Sequence, residues 1–488
     1  MGSLTASTHL TVDERAALGR AARKVRSRQS IGDYQPASGR QDPVSLLAAQ
    51  ETDRVPQLLP VRHQRMGETA FTFLRGAAAV MAADLGAMPS TGLTVQLCGD
   101  AHLANLGLFA APDRGLVFDV NDFDETNPGP FEWDVQRLAA SFVVAAQSNG
   151  HTRRTFEALP RVVARAYREM MIWLSGQSEL DEWYYRIDVG TLRRWVAEMK
   201  FRDGFDVLAR TEQQAQARNR WSAVKSLTTV VDGQRRFKDQ PPLLVSLQSD
   251  DAMEDVVDAM FDSYLSTLLV DRATLLGRYK PVDVGHKVVG VGSVGLLAFV
   301  MLLQGRGADD LLVLQIKQAV SSVLEPHTAP STWSSHGRRV VAGQRLMQAA
   351  TDAFLGWTTG PQGRSYYVRQ LRDMKWAPDV SRMRARGLMA YAAMCGATLA
   401  RAHARSGDSI ALAAYMGESE KFDSAMQAFA LAYADQNGLD YATYSAAIAD
   451  GTVVTTKDES AAVRMAWAPK AEQGPLIITE AAAPSADG

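Results

Sequence analysis

The amino-acid sequence predicts an α+β protein in two parts, a large helical part and a small antiparallel sheet. Three observations predict this. Apolar residues at helical spacing dominate residues 131–199 and 382–449. Between 279 and 376 the pattern changes to short apolar runs broken by Gly-rich or Asp-rich turns, as in antiparallel strands. A short strand at Thr94–Leu97 and a hairpin built from Leu106–Ala110 and Gly115–Val120 stand apart from both.

Taken in order, residues 1–60 read as an arm: a short helix over Val12–Lys24, a basic patch at Arg23–Arg28, and a connector containing Gly and Pro. The patch reads as solvated surface. Phe71–Leu85, rich in Ala and Met, reads as one helix. The hairpin turns at Pro112-Asp113-Arg114-Gly115. Helices follow over Phe131–Asn149, Thr152–Ser175 and Val189–Met199. Asp232-Gly233 inside Leu227–Phe237 is a hairpin signal, set in the most basic stretch of the chain. Asp251–Leu276 reads as a helix stopped by Gly277. Strands are expected at Lys287–Val291, Leu296–Gln304, Leu311–Lys317 and Ser365–Leu371. Helices are expected at Arg338–Phe354, Arg382–Arg405 and Lys421–Ala449. From about Lys457 the periodicity is lost, and a mobile tail is expected over 457–488.

A chain of 488 residues has room for two or three domains or one two-lobed unit. Its 46% hydrophobic and 22% charged residues are ordinary for a soluble globular protein. A formal net charge of −2 argues against nucleic acid as a partner. The cysteines, Cys98 and Cys395, are too few for a disulfide framework or a zinc site, so a reducing cytoplasm is expected. Residues 1–50 lack an apolar targeting core. The most apolar run, Val294–Gln304, falls short of the roughly 20 residues needed to span a bilayer. No membrane association is expected.

The chemistry is concentrated in two places. Leu97-Cys98-Gly99-Asp100-Ala101-His102-Leu103-Ala104-Asn105 is followed by Val117-Phe118-Asp119-Val120-Asn121-Asp122-Phe123-Asp124-Glu125. An Asp with an Asn five residues on, then Asp-Phe-Asp after a hairpin, suits magnesium-assisted phosphoryl transfer. One carboxylate orients or deprotonates an acceptor, while an Asn oxygen and a second carboxylate hold the metal. So many neighbouring carboxylates are costly unless cations balance them. A surface turn with Asp100 as a helix cap is the plain alternative.

Far downstream, Gly290-Val291-Gly292-Ser293-Val294-Gly295 is a G-x-G-x-x-G. It either opens a dinucleotide-binding helix or forms a hairpin tip over nucleotide phosphates. Two short apolar runs across the turn at Gly305–Asp310, the second ending in Leu314-Gln315-Ile316-Lys317, favour the hairpin and make Lys317 the phosphate-binding lysine. A lysine at a strand end can also simply reach solvent. Tyr366–Leu371 is a candidate hinge strand, with Gln370 and Leu371 beside the adenine. Asp408, in a second Gly-Asp step, has no Asn five residues on. His403 reads as structural. No G-x-S-x-G, H-E-x-x-H or G-x-x-x-x-G-K-[ST] motif is present.

Asp100, Asn105 and Asp122 together resemble the catalytic and metal loops of aminoglycoside and choline phosphotransferases, members of the protein-kinase-like superfamily. The phrases Phe73-Leu74-Arg75-Gly76, Leu97–His102, Asn121–Thr126, Trp133-Asp134-Val135 and Val368–Asp373 resemble the bacterial family DUF2252. That resemblance runs from about Asp42 to Gly451. The kinase-like resemblance implies Asp100 as the catalytic Asp, Asn105 and Asp122 as metal ligands with Asp124 in support, and ATP and Mg2+ as cofactors. It also implies Gly290, Gly292, Ser293 and Gly295 as the phosphate loop and Lys317 as the nucleotide lysine. The chain departs from that pattern in three ways. Cys98 stands where a His usually precedes the Gly-Asp step. No Glu is clearly placed to pair Lys317, with Glu325, Gln344, Gln348 and Asp352 the nearest candidates. The nucleotide half follows the catalytic half.

Circular permutation reconciles the order. The expectation is a two-lobed, protein-kinase-like α+β fold with a mostly helical C-lobe and a small antiparallel-sheet N-lobe. Residues 61–278 would begin the helical lobe and carry the catalytic and metal loops, 279–376 would form the nucleotide lobe, and 377–456 would complete the helical lobe. The expected activity is ATP- and magnesium-dependent phosphoryl transfer to a hydroxyl- or amino-bearing acceptor, small molecule or protein. The alternatives are a non-catalytic nucleotide-binding protein and a dinucleotide-dependent oxidoreductase. The permuted order requires Lys317 to lie close to Asp122.

Overall fold

The computed structural model describes residues 9–198, 204–247, 251–288, 290–371 and 374–467. The expected helix end at Met199, the Arg372-Asp373 step and residues 468–488 of the expected tail lie outside the described residues. Helix Glu132–Ser148 is buried from Glu132 to Ala146, so neighbours surround it. Helices Arg153–Ser175 and Lys421–Ala449 pack on it, and Ala385–Ala404 lies along Arg153–Ser175. Small residues set that last spacing: a Cβ on Gly396 would run into the Val163 carbonyl. The arm helix Val12–Val25 begins with a Thr11–Glu14 capping box and packs on Ser409–Met416.

Twelve strands form four antiparallel sheets among the described residues. β1 (Thr94–Leu97) pairs with β4 (Asn127–Pro130), and β2 (Leu106–Ala110) with β3 (Leu116–Val120), the hairpin turning at Arg114 with φ 69°. β5 (Thr228–Val231) and β6 (Gln234–Phe237) form the expected Asp232-Gly233 hairpin, with φ 49° and 74° at the turn.

The main sheet has six strands: β7 (Leu244–Ser246), β8 (Lys280–Lys287), β9 (Ala298–Gln304), β10 (Leu311–Gln318), β11 (Gly356–Thr359) and β12 (Ser365–Gln370). Their order across the sheet is β11-β12-β10-β9-β8-β7. Strand periodicity sorts β10. Leu312, Leu314 and Ile316 join Phe261 and Tyr264 from helix Asp251–Leu265 on one face. Leu311 and Val313 join Val224, Leu227 and Phe237 on the other. Gln315 and Lys317 continue that second face past its apolar cover and line a cavity.

Several boundaries differ from expectation. The strand expected at Lys287–Val291 lies upstream at Lys280–Lys287, where Lys, Pro, Asp and His obscure the alternation. Phe71–Leu85 is two helices, Ala70–Gly76 and Ala78–Gly86, because Arg137 takes the Leu74 carbonyl and Arg62 the Gly76 carbonyl at the join. Asp251–Leu276 is likewise two helices, Asp251–Leu265 and Val270–Leu276. Ser266 and Thr267 hydroxyls bond to nearby carbonyls in the gap. Helix Arg338–Phe354 runs instead from His336 to Met347, since Asp119 takes the Ala349 N–H. Within the expected tail, Glu459–Trp467 is helical, and Val463 is fully buried beside Leu58 and Val61.

The close packing at Gly396 gives a test. Gly396→Ala should lower stability by about 1–3 kcal/mol through forced separation of two helices, read as a lower urea midpoint at unchanged slope.

Candidate functional site

Residues 98–105 leave β1 as a loop stretched over helix Glu132–Ser148. Asp134 receives the N–H groups of Cys98 (2.8 Å) and Gly99 (3.1 Å), and its carboxylate also meets His403 Nε2 at 3.2 Å. One turn further on, Arg137 Nε donates to Asp100 Oδ1 at 2.6 Å, and its Nη2 donates to the Leu74 carbonyl at 2.9 Å. These contacts fix Asp100 Oδ1; Oδ2 faces His102 Nε2 at 3.7 Å. Burial raises the Asp100 pKa against the pull of Arg137. His102 stays neutral, because burial and the charges of Arg75 and Arg137 push it well below 6.5. Asn105 Nδ2 donates to the Asp100 carbonyl at 3.0 Å, leaving Oδ1 for other partners.

The second loop, 121–125, crosses the first where Gly99 has φ +82°. A Cβ there would collide with the Glu125 carbonyl. Asp122 and Asp124 then differ sharply. Asp124 receives Lys317 Nζ at 2.6 Å, Tyr367 Oη at 2.7 Å and Ser293 Oγ at 3.1 Å. Its pKa falls to about 2 despite burial, chiefly through Lys317. Asp122 accepts the Asp124 N–H at 3.2 Å and makes no ion pair among the described residues. Burial and the Asp124 charge raise its pKa. Asp119, in the same acidic run, points elsewhere and pairs with buried Arg401.

The glycine run is the turn between β8 and β9. A short 3-10 turn spans Val291–Ser293, Gly295 has φ +94°, and no helix follows before β9 begins at Ala298. The arm anchors it: Val55 N–H donates to the Gly295 carbonyl at 2.8 Å, and Arg54 donates to the Val294 carbonyl. Lys317 and Tyr367 lie opposite each other on neighbouring β10 and β12. Arg369 bonds Gln315 Oε1 at 3.1 Å and the Asn121 carbonyl at 3.3 Å.

Asp100, Asn105, Asp122, Asp124, Gly290, Gly292, Ser293, Lys317, Gln370 and Leu371 all line one cavity of about 740 Å³. Gly295 does not; it shapes the turn from behind. The Gln370 and Leu371 N–H groups are already used, by Asp352 at 2.6 Å and the Val313 carbonyl at 2.9 Å, so Gln370 offers a ligand its side chain rather than its N–H. The acidic partner of Lys317 is Asp124. Glu325 lies instead 3.7 Å from Arg339, and Gln344 bonds Gln348.

Among the described residues, no three His, Cys, Asp or Glu side chains form a ready-made metal cage. Magnesium needs none, since one or two carboxylates plus phosphate oxygens suffice. An unpaired Asp122 carboxylate and the Asn105 Oδ1 are oxygen donors of that kind.

Glu125, read from sequence as part of the acidic run, also lines the site, and Arg75, Arg137, Tyr367 and Arg54, given no chemical role from sequence, complete it. A charged side chain inside an otherwise apolar helix, as at Arg137 and Arg75, is the available signal, because a buried charge requires a partner.

The arrangement defines an α+β protein whose acidic loops and lysine-bearing antiparallel sheet border one cavity. The chain belongs to the family described as an uncharacterized protein conserved in bacteria, DUF2252, whose model matches residues 54–447. The family predicted from the sequence phrases is therefore the one found. No curated protein and no solved structure matches the chain. Among the described residues, no helix is long and apolar enough to cross a membrane.

Glu125 gives a pH test. Burial pushes its carboxyl up to about 7, against the Val323 N–H at 2.8 Å and the nearby Arg339 charge. A carboxyl with a raised folded-state pKa binds more protons folded than unfolded, so stability falls as pH rises between about 4.5 and about 7. Urea midpoints across that window should fall in the wild type, and the fall should be shallower in Glu125→Gln.

Proposed function

We propose that this chain is a kinase-like phosphotransferase with circularly permuted lobes, moving the γ-phosphoryl group of ATP, with Mg2+, to a hydroxyl or amino group of an acceptor. The observation that carries the reading is the 2.6 Å contact of Lys317 with Asp124, which joins the late glycine-turn sheet to the early acidic loop. Strand order supports it. A glycine turn joins β8 to β9, the lysine lies on the next strand, a helix (His336–Met347) follows, and β12 leads to Gln370 and Leu371. That is the order this reading requires of a kinase nucleotide lobe.

Under this reading Asp100, fixed through Oδ1 by Arg137, orients the acceptor and takes its proton on Oδ2. Asn105 and Asp122 would hold the metal, with Asp124 in support. Bound magnesium would neutralise charge on the phosphates. Lys317 and the glycine turn with Ser293 would hold those phosphates, and Gln370 and Leu371 would border the base. The acceptor, small molecule or protein, enters the same cavity.

A non-catalytic nucleotide-binding protein is the second reading. Its support is that helix His336–Met347 carries no Glu, so Lys317 is held by a carboxylate of the acidic loop itself. A dinucleotide-dependent oxidoreductase lacks support, because its pyrophosphate needs a helix opening at the glycines and a strand follows instead.

The test is a thermal-shift panel of ATP, GTP, NAD and NADP, each with and without magnesium. A ligand at a hundred times its Kd stabilises by about 2.7 kcal/mol. The expected result is a magnesium-dependent ATP shift in the wild type that is absent in Asp122→Ala. A metal-independent NAD shift would overturn the reading.

A further inference from the structure

Arg75 is left without a partner in a place where a guanidinium is costly to leave alone. It lies at the end of helix Ala70–Gly76 and lines the cavity. Its Nε is buried and unbonded, and the side chain makes no hydrogen bond or ion pair among the described residues. The Phe71 ring lies 5.9 Å from its Cζ. Four of the neighbouring cations are occupied, while Lys375 also lines the cavity. Arg137 is held by Asp100 and the Leu74 carbonyl, Lys317 by Asp124, Arg54 by the Val294 carbonyl, and Arg369 by Gln315 and Asn121.

The position of Arg75 narrows what it serves. Asp100 and Asp122 are the carboxylates whose charges reach it. The backbone of Arg75 also touches the glycine turn, its carbonyl lying 3.4 Å from where a Cβ of Gly292 would stand. The charges of the acceptor-side and metal-side carboxylates therefore act on this side chain in the cavity they share, and its own backbone abuts the phosphate turn. What passes between those three groups in a phosphotransferase is the phosphoryl group itself.

We propose that Arg75 binds the phosphoryl group in flight, its planar fork engaging two of the three equatorial oxygens. The proposal rests on the phosphotransferase reading above. In the step, the acceptor oxygen forms a bond to the γ-phosphorus as the bond from that phosphorus to the β,γ-bridging oxygen breaks. The bond's electron pair leaves on ADP, and the acceptor proton passes to Asp100 Oδ2. Charge spread over the equatorial oxygens meets a guanidinium that has no competing partner, a geometry in which paired N–H donors are strongest. With water as acceptor the same step gives inorganic phosphate, so the contact can be tested without the natural acceptor.

The experiment measures binding of MgADP, with and without aluminium fluoride as the mimic of the transferred group, to wild type, Arg75→Gln and Arg75→Lys. In the wild type aluminium fluoride should tighten MgADP binding. Arg75→Gln should bind MgADP within about threefold of wild type yet lose the tightening by roughly 100-fold, the scale expected for removing one donor to developing transition-state charge. Arg75→Lys should recover only part, and it carries the test if circular dichroism finds Arg75→Gln unfolded. Tightening retained in a folded Arg75→Gln, or MgADP binding lost along with it, would overturn the proposal. A wild type that binds no magnesium nucleotide would instead overturn the phosphotransferase reading itself.

Discussion

The Asp124 carboxylate is the point on which the site depends. One oxygen takes Lys317 and Ser293 and the other takes Tyr367, so three segments distant in sequence close on a single side chain. Lys317 is 5% exposed and Asp124 19%, which leaves little water to solvate either charge. Each therefore holds the other in place, and removing one partner of such a pair is far more damaging than replacing both. The same contact holds the glycine turn down through Ser293. Asp122, two residues away in the same cavity, makes no ion pair among the described residues.

Around this point the helical part works through buried arginines. Arg137 reaches from a helix buried on all sides to both Asp100 and the Leu74 carbonyl, and Arg339 reaches the carbonyls of Asp124, Thr126 and Val320. Loops of this kind expose backbone carbonyls that no ladder satisfies, and a guanidinium can satisfy two or three at once. The arm contributes in the same manner, since Arg54 and Val55 bind the two carbonyls of the glycine turn. The acidic loops and the phosphate turn are thereby fixed to the same rigid scaffold, which is what positioned chemistry requires.

Much of this was legible before any coordinates. Asp100, Asn105, Asp122, Lys317 and the glycine run carry local signals, either a fixed spacing or a strand-turn-strand pattern, and the four side chains border one cavity with Gly290, Gly292 and Ser293 of the run. Other features were not legible. Helices broke at Ala77 and after Met347 because distant side chains, Arg62, Arg137 and Asp119, took backbone groups that the helix would otherwise have used. No local window contains such a competitor.

The sequence alone therefore determined the chemical vocabulary: which carboxylates, amide and lysine are available, that they fall in two distant clusters, and that the chain belongs with DUF2252. Tertiary structure decided the pairing. It made Asp124 the partner of Lys317, sent Asp119 away to Arg401, and left Arg75 and Asp122 in one cavity without an ion pair among the described residues. The physical reason is range. Periodicity and motif spacing arise from contacts a few residues apart, whereas a buried charge is satisfied by whatever the fold brings within about 3 Å, at any distance along the chain.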